Sequence, residues 1–318
     1  MYTAITMLAS RARRTCVRRS FSILGGMSDD LLISMNMGHS IGGTSQATLV
    51  DSLINAGVLV TPRVQDAFRS LDRGQFVFPG HNPSDIYANR PLKIGTIATI
   101  STPQQHAQVI ELLAAHLQPG HRAIDVGCGS GYLAAVMATL VGPTGHVTGV
   151  DIVPSLVEFS TANVTKAGVA CNFTWTTSSG KEILAPTASF DGIHVGVAVE
   201  SMDQVDALAT HLNPGGALVV PLGYAASEQL LLKVVKHPDG TIIKERVMSV
   251  LCQPLLDQAP APLPVPETRA DKVARLQAAL EAWKVSFVTT HGRAPTREDI
   301  LQDDIARRLF ADFAATRK

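Results

Sequence analysis

A chain of 318 residues with 46% apolar and 17% charged side chains has the makeup of a globular enzyme, which excludes disorder as its main state. Its 27 basic and 27 acidic residues cancel, so no overall basic field favours nucleic acid, which is not an expected partner. No apolar run reaches the roughly 18–20 residues that a bilayer span needs, so no membrane association is expected, and four scattered cysteines without a CxxC pair argue against a cysteine zinc site or a disulfide framework.

Residues 1–27 carry Arg11, Arg13, Arg14, Arg18 and Arg19 among serines and threonines, with no acid. That is the composition of a mitochondrial transit peptide. A basic tail, or initiation at Met27, reads the same stretch equally well. The expected location is therefore cytoplasmic or mitochondrial, and residues 1–30 stand apart from the fold. In residues 45–60, Leu49, Leu53, Ile54 and Val58 fall at helical spacing, and Gly57 marks the helix end. Pro62 suits the first turn of a second helix through Val64, Phe68 and Leu71. Residues 74–94, rich in Pro, Asn and Gly, read as a long irregular segment, and a loop of that length in a compact domain is often functional.

From residue 105 helices and strands alternate. Helices are predicted over 105–117, 131–141, 154–167 and 205–212, and strands over 122–126, 146–151, 171–177, 190–195 and 217–221. Two late strands, 230–236 and 242–251, are joined by the turn Pro238-Asp239-Gly240. The alternation predicts an α/β, doubly wound, Rossmann-like sheet that is mainly parallel. This domain spans residues 42–257. A proline-rich linker, residues 258–266, leads to a small helical module, residues 267–318.

The strongest motif is Asp125-Val126-Gly127-Cys128-Gly129-Ser130-Gly131, placed where the first strand hands over to a helix. Glycine is needed where the chain turns sharply and lets a ligand approach its backbone. A dinucleotide fingerprint would want a third small residue at position 132, which is Tyr132. Asp125 beside the turn suits a positive sulfonium better than a diphosphate. About twenty residues on, Asp151 ends the second strand, with Ile152 beside it, where a carboxylate can accept both ribose hydroxyls. The bland alternatives are a glycine turn with a solvated aspartate, and Asp125 as a helix cap.

Upstream, Ile94-Gly95-Thr96-Ile97-Ala98-Thr99-Ile100-Ser101-Thr102-Pro103, followed by His106, resembles the signature of the protein-L-isoaspartate O-methyltransferases. The resemblance continues through residues 125–131, Phe190-Asp191-Gly192-Ile193-His194-Val195-Gly196 and Leu212-Asn213-Pro214-Gly215-Gly216, covering roughly residues 42–257. It implies S-adenosyl-L-methionine as cofactor, isoaspartyl-containing proteins and peptides as substrates, and methylation of the isoaspartyl carboxylate as the reaction, in the service of protein repair. It also implies that Ser101 is the active-site serine, that His106 belongs to the cofactor site, and that Ala98, Thr99 and Ile100 line the seam between cofactor and peptide. Read alone, Ser101 ahead of Thr102-Pro103 could merely cap the next helix, and His106 could be an ordinary first-turn residue.

Three positions depart from the family pattern. Where an Asp-Gly pair is expected to reach the adenine amino group stands Ser179-Gly180. Glu200 replaces a proline, and Leu256 replaces a hydroxyl residue in the closing segment. Losing one charge-assisted hydrogen bond costs about 1.5–3 kcal/mol. An alternative is therefore a methyltransferase-fold adaptor with weak or no turnover.

In the C-terminal module, Trp283 and Phe287, then Gly292-Arg293-Ala294-Pro295, then Asp299-Ile300, resemble a helical motif from DNA-replication initiation factors and RecQ-family helicase N-termini. The plainer reading is the core of a tiny bundle. Thr296 is placed to cap the helix that starts with Arg297 and two acids. Binding a partner protein is one use of such a module, and docking on the catalytic domain is another.

Overall fold

The computed structural model describes residues 41–95, 98–179, 188–225, 227–259 and 269–315. The arginine-rich first segment, Met27, Thr96, Ile97, Gly180 and most of the proline-rich linker lie outside the described residues. By its contacts the chain divides into two units, residues 1–260 and residues 261–318.

The first unit begins with helices α1 (Gln46–Asn55) and α2 (Pro62–Ser70). Ser45 and Thr48 form a capping box ahead of α1, and Gly57 leaves it at φ 69°, a left-handed conformation open to a residue without Cβ. The segment read as irregular holds short elements. These are a 3-10 turn (Arg73–Phe76), a one-turn helix α3 (Pro83–Ile86), and strand β1 (Leu92–Ile94), which pairs antiparallel with β2 (Ala98–Ile100). Pieces this short have too few residues for a period to show.

Helix α4 (Pro103–Leu113) opens the alternation. It continues through β3 (Arg122–Val126), α5 (Tyr132–Val141), β4 (His146–Asp151), α6 (Pro154–Ala167), β5 (Asn172–Thr177) and β6 (Phe190–Val195). Helix α7 (Met202–Ala209) and strands β7 (Leu212–Leu222), β8 (Gln229–Lys236) and β9 (Ile242–Val250) complete it. The sheet order is β5-β4-β3-β6-β7-β8-β9. The first five strands run parallel, and β8 and β9 are antiparallel. Two elements differ from expectation. Helix α7 starts earlier than residue 205 because Ser201 and Gln204 form a capping box. Strand β7 reaches back to Leu212 because Asn213-Pro214-Gly215-Gly216, a turn-like run, is an excursion within the strand: Phe190 pairs with Leu212 and Gly192 with Ala217.

The two faces of the sheet follow the strand period of two. Ala123, Ala217 and Val219 join the cluster formed with α1, α2, α4, α5 and α6. Ile124, Val126, Leu218 and Val220 join Val205 and Leu208 of α7 on the other face. The strand order reverses between the neighbours β3 and β6, and open α/β sheets bind ligands at the carboxyl edge beside such a switch point.

The second unit contains α8 (Arg269–His291), α9 (Arg297–Gln302) and α10 (Asp304–Ala315). Thr296 caps α9 in a box with Asp299, which also takes a forked pair from Arg293 at 2.7 and 2.8 Å. Trp283 Nε1 donates to Asp303 at 2.9 Å, and Leu276, Leu280 and Ala306 are buried.

Candidate active site

Strand β3 hands the chain into the glycine turn between the ends of β4 and β6. Gly127, Gly129 and Gly131 have φ of 76°, 55° and 80°, where side chains are disfavoured. A Cβ on Gly127 would stand 3.0 Å from Val197, on Gly129 3.1 Å from Ile94, and on Gly131 3.1 Å from the Cα of Ser160. The turn is also tied down. Gly127 and Cys128 N–H donate to the Val150 carbonyl at 2.8 and 3.0 Å. Ser160 Oγ donates to the Gly129 carbonyl at 2.9 Å, and Asn163 to that of Ser130 at 3.0 Å.

Asp151 is buried at the end of β4. One carboxylate oxygen accepts from Gly129 N–H and the other from Val153 N–H, each at 3.0 Å. Burial lifts its pKa above the usual carboxylate range, against the pull of those donors. Each oxygen keeps a further lone pair for a ligand hydroxyl. Asp125, on β3, is 1% exposed and lies 2.7 Å from Nδ1 of His194, itself 7% exposed.

Strand β2 leads into Ser101. The helix-capping role that the sequence left open for Ser101 falls to Thr102, whose side chain accepts from Gln105 N–H at 3.1 Å. His106 is buried in the first turn of α4. Burial, reinforced by Arg73 and His194, holds its pKa well below the ordinary histidine value, so the imidazole is neutral.

Three cavities meet here. One of about 840 Å³ is walled by Ala98, Thr99, Ser101, Gly127, Gly129, Asp151 and Ile152, and closed by residues 251–256. That closing segment is held by parallel bonding to β6's extension, Ala198 N–H to Gln253 at 2.6 Å and Leu255 N–H to Ala198 at 2.8 Å. An inner cavity of about 560 Å³ is walled by Thr99, Ile100, Ser101, His106, Asp125, Gly127 and Gly129. A broader groove of about 1380 Å³ runs past Asn89, Gln104, Gln108, Glu228 and the end of β9. Thr99 and Ser101 stand in the wall of all three.

Two residues expected at the cofactor line none of these cavities. Gly131 lets α5 begin hard against Ser160. Ser179 is buried, and its neighbour Ser178 lines the first cavity instead. Gly180 lies outside the described residues. Of the departures, Leu256 is in the wall of the first cavity, whereas Glu200 is exposed beside the α7 cap and lines none. Neither Arg73 nor His194 is singled out by the sequence as a site residue, yet Arg73 reaches His106 and His194 lines the inner cavity. A histidine in a buried strand beside an acid-bearing strand was the available signal for the second.

The first two cavities fit a nucleoside that carries a positive sulfonium. They offer two buried carboxylates and an apolar wall of Val150, Ile152, Val153 and Leu156. Among the described lining residues there is no Lys or Arg of the kind a diphosphate would recruit.

Comparison with known proteins agrees. The family model described as protein-L-isoaspartate(D-aspartate) O-methyltransferase matches residues 44–259. Protein-L-isoaspartate O-methyltransferase 2 of Arabidopsis thaliana is 40% identical over 221 residues, 67% of this chain and 69% of that protein. The enzyme of Triticum aestivum is 37% identical over 216 residues, 66% of this chain and 91% of that one. A crystal structure of a Plasmodium falciparum protein-L-isoaspartate O-methyltransferase, in complex with S-adenosyl-L-homocysteine, superposes with a TM-score of 0.59 at 28% identity, covering 67% of this chain and 99% of that one. The family match stops at residue 259, and the likeness of the C-terminal module to initiation factors and helicases draws no support from these comparisons. Fold, turn and relatives agree that this chain belongs to the protein-L-isoaspartate(D-aspartate) O-methyltransferase family and is an S-adenosyl-L-methionine-dependent protein carboxyl methyltransferase.

Proposed function

We propose that the chain methylates isoaspartyl sites in damaged proteins with Ser101 as the residue that presents the carboxylate. The observation that carries this reading is the place of Ser101 in the wall shared by the two inner cavities and the outer groove. A peptide lying in the groove would bring its side-chain carboxylate to the one seam where it can meet the cofactor cavity.

When bound, S-adenosyl-L-methionine supplies an electrophilic methyl group. A carboxylate is ionised at neutral pH, so no residue has to remove a proton, and the protein's task is alignment. Ser101 Oγ–H donates to one carboxylate oxygen and leaves the other free to react. Asp151, its oxygens already oriented by Gly129 and Val153, would hold the ribose hydroxyls. Asp125 and neutral His106, in the inner cavity, would hold the amino-acid end, and Ser178 and Leu256, in the first, would meet the base. The closing segment, residues 251–256, excludes water.

The test is incubation with radiolabelled S-adenosyl-L-methionine and a matched isoaspartyl and aspartyl peptide pair, beside Ser101→Ala. Base-labile label on the isoaspartyl peptide alone, reduced roughly ten- to a hundred-fold in the variant, is the expected result. Binding of the isoaspartyl peptide without labelling would favour an adaptor role, and full activity of Ser101→Ala would remove Ser101 from the site.

A further inference from the structure

The substrate group of this site is an anion, and so is the carboxylate of the cofactor's amino-acid end. Yet among the described residues that line the three cavities none is Lys or Arg, while Asp125 and Asp151 add negative charge. A buried cation without a carboxylate partner stands one layer behind the wall. Arg73, in the 3-10 turn after α2, is 0% exposed. Its side chain donates to backbone carbonyls of Ile86 at 3.1 Å, Ser101 at 2.8 Å and Arg90 at 3.4 Å, and Nη1 reaches Nδ1 of His106 at 3.5 Å. These acceptors are three carbonyls and one imidazole, with no carboxylate among them. A buried charge without a counter-ion is costly, and a perturbed titratable group packed behind a cleft is a candidate for a functional role. Burial pulls the Arg73 pKa down to about 10, which leaves the cation intact at neutral pH.

The geometry assigns a direction to each contact. A guanidinium has donors only. Nδ1 of His106 must therefore be the acceptor, and the proton of the neutral ring sits on Nε2. One side chain thus fixes both a carbonyl of the residue that meets the substrate and the tautomer of a residue in the inner cavity.

We propose that Arg73 is a positioning residue of the methyl transfer: from behind the wall it holds the Ser101 carbonyl, sets His106 as an Nε2–H donor, and provides the positive field in which an anionic carboxylate settles against Ser101. The proposal rests on the roles given above to Ser101 and His106. It gives the site its missing cation without exposing a charged side chain that would pair with Asp125 or Asp151 and close the cofactor cavity.

Two measurements test it. The first uses the wild-type protein, uniformly labelled with 15N, and reads the histidine ring tautomers by long-range 1H–15N correlation. His106 is assigned by its loss in His106→Gln. A neutral Nε2–H ring is expected, and an Nδ1–H ring overturns the proposal, because it cannot accept from Arg73. The second compares Arg73→Gln with Arg73→Lys, each checked for folding by thermal melting. Arg73→Gln is expected to raise KM for the isoaspartyl peptide roughly ten-fold and to weaken S-adenosyl-L-homocysteine binding by calorimetry. Arg73→Lys, which keeps the charge and loses the fork, is expected to recover part of the KM. A folded Arg73→Gln with both affinities within about two-fold of wild type overturns the proposal. If the variants do not fold, the tautomer decides. If the wild type labels no isoaspartyl peptide, the assignment of Ser101 fails, while the tautomer and the S-adenosyl-L-homocysteine affinity still decide Arg73.

Discussion

Asp125 and His194 are register partners on the adjacent parallel strands β3 and β6, and their side chains meet at 2.7 Å inside the sheet's buried edge. Partners in register present their side chains to the same face. The pairing is therefore a product of strand order: a connection that placed β6 elsewhere would leave Asp125 buried and unpaired. The pair holds one oxygen of Asp125 at His194, and Asp125, His194 and His106 all line the inner cavity.

Removing one member of a buried pair leaves the other charged or polar group stranded, which typically costs about 3–5 kcal/mol. His194→Leu is expected to lose stability on that scale in urea unfolding. Asp125→Asn keeps an oxygen to accept from Nδ1, so it is expected to unfold closer to wild type while binding S-adenosyl-L-homocysteine more weakly. Equal stability losses in both variants would show that the pair acts only as packing.

His106 gives the stability a pH dependence of known sign. Its folded pKa is held well below the ordinary value by burial, with Arg73 and His194 adding to the effect. In the unfolded chain it titrates near the ordinary value. As pH falls below about 6.5 the unfolded state binds a proton that the folded state refuses, so stability falls by up to about 1.4 kcal/mol per pH unit from this group. Arg73, Tyr132, Asp125, His194 and the raised thiols of Cys128 and Cys252 share its surroundings. The check is the slope of unfolding free energy between pH 7 and 5 in wild type and in His106→Gln. The variant is expected to show a shallower slope, whatever its absolute stability. An unchanged slope would mean that His106 accepts a proton in the folded state.

Much of this arrangement was legible because it rests on local pattern. Asp125 to Gly131 and Asp151 announced a strand, a turn and a second strand end, and six helices and seven strands of the sheet domain follow from periodicity and turn signals. What was not legible depends on distant contacts. Nothing in the local pattern around Arg73 marks it, and only the fold shows it enclosed by Ile86, Arg90 and Ser101. The same holds for Ser178, which lines the cavity where Ser179 was expected. Counting back along a chain fixes a residue to within one position, and in an extended segment one position reverses the face.

Gly131 separates packing from ligand contact within the glycine turn. Its φ of 80° and the 3.1 Å approach of Ser160 both oppose a side chain, yet it lines none of the cavities. Gly131→Ala is expected to destabilise the fold by about 1–2 kcal/mol from the left-handed backbone alone, with more from the clash, while the folded fraction keeps near wild-type affinity for S-adenosyl-L-homocysteine. Gly127→Ala sets the contrast, since Gly127 lines both inner cavities and a Cβ there meets Val197 at 3.0 Å. It is expected to lose affinity as well as stability. Urea unfolding and calorimetry on both variants read the two effects apart, and a Gly131→Ala protein that is stable but fails to bind would place Gly131 at the ligand.

Leu256 is the departure from the family pattern that reaches the cofactor cavity, in the segment held against Ala198 by Gln253 and Leu255. A hydroxyl at this position can donate to and accept from a bound nucleoside, and a leucine can only pack. Leu256→Thr shortens the side chain without adding bulk, so the closing segment should keep its path. A neutral hydrogen bond is worth about 0.5–1.5 kcal/mol, or roughly two- to ten-fold in Kd. Removing buried methyl groups works in the opposite direction, but Leu256 is only half-buried, so the packing loss is the smaller effect. Leu256→Thr is therefore expected to bind S-adenosyl-L-homocysteine several-fold more tightly by calorimetry and to lower KM for the cofactor, with kcat little changed because Ser101 is untouched. A weaker Kd would instead identify Leu256 as an apolar wall against which this enzyme packs the base, and the missing hydroxyl as compensated by the cavity around Ser178.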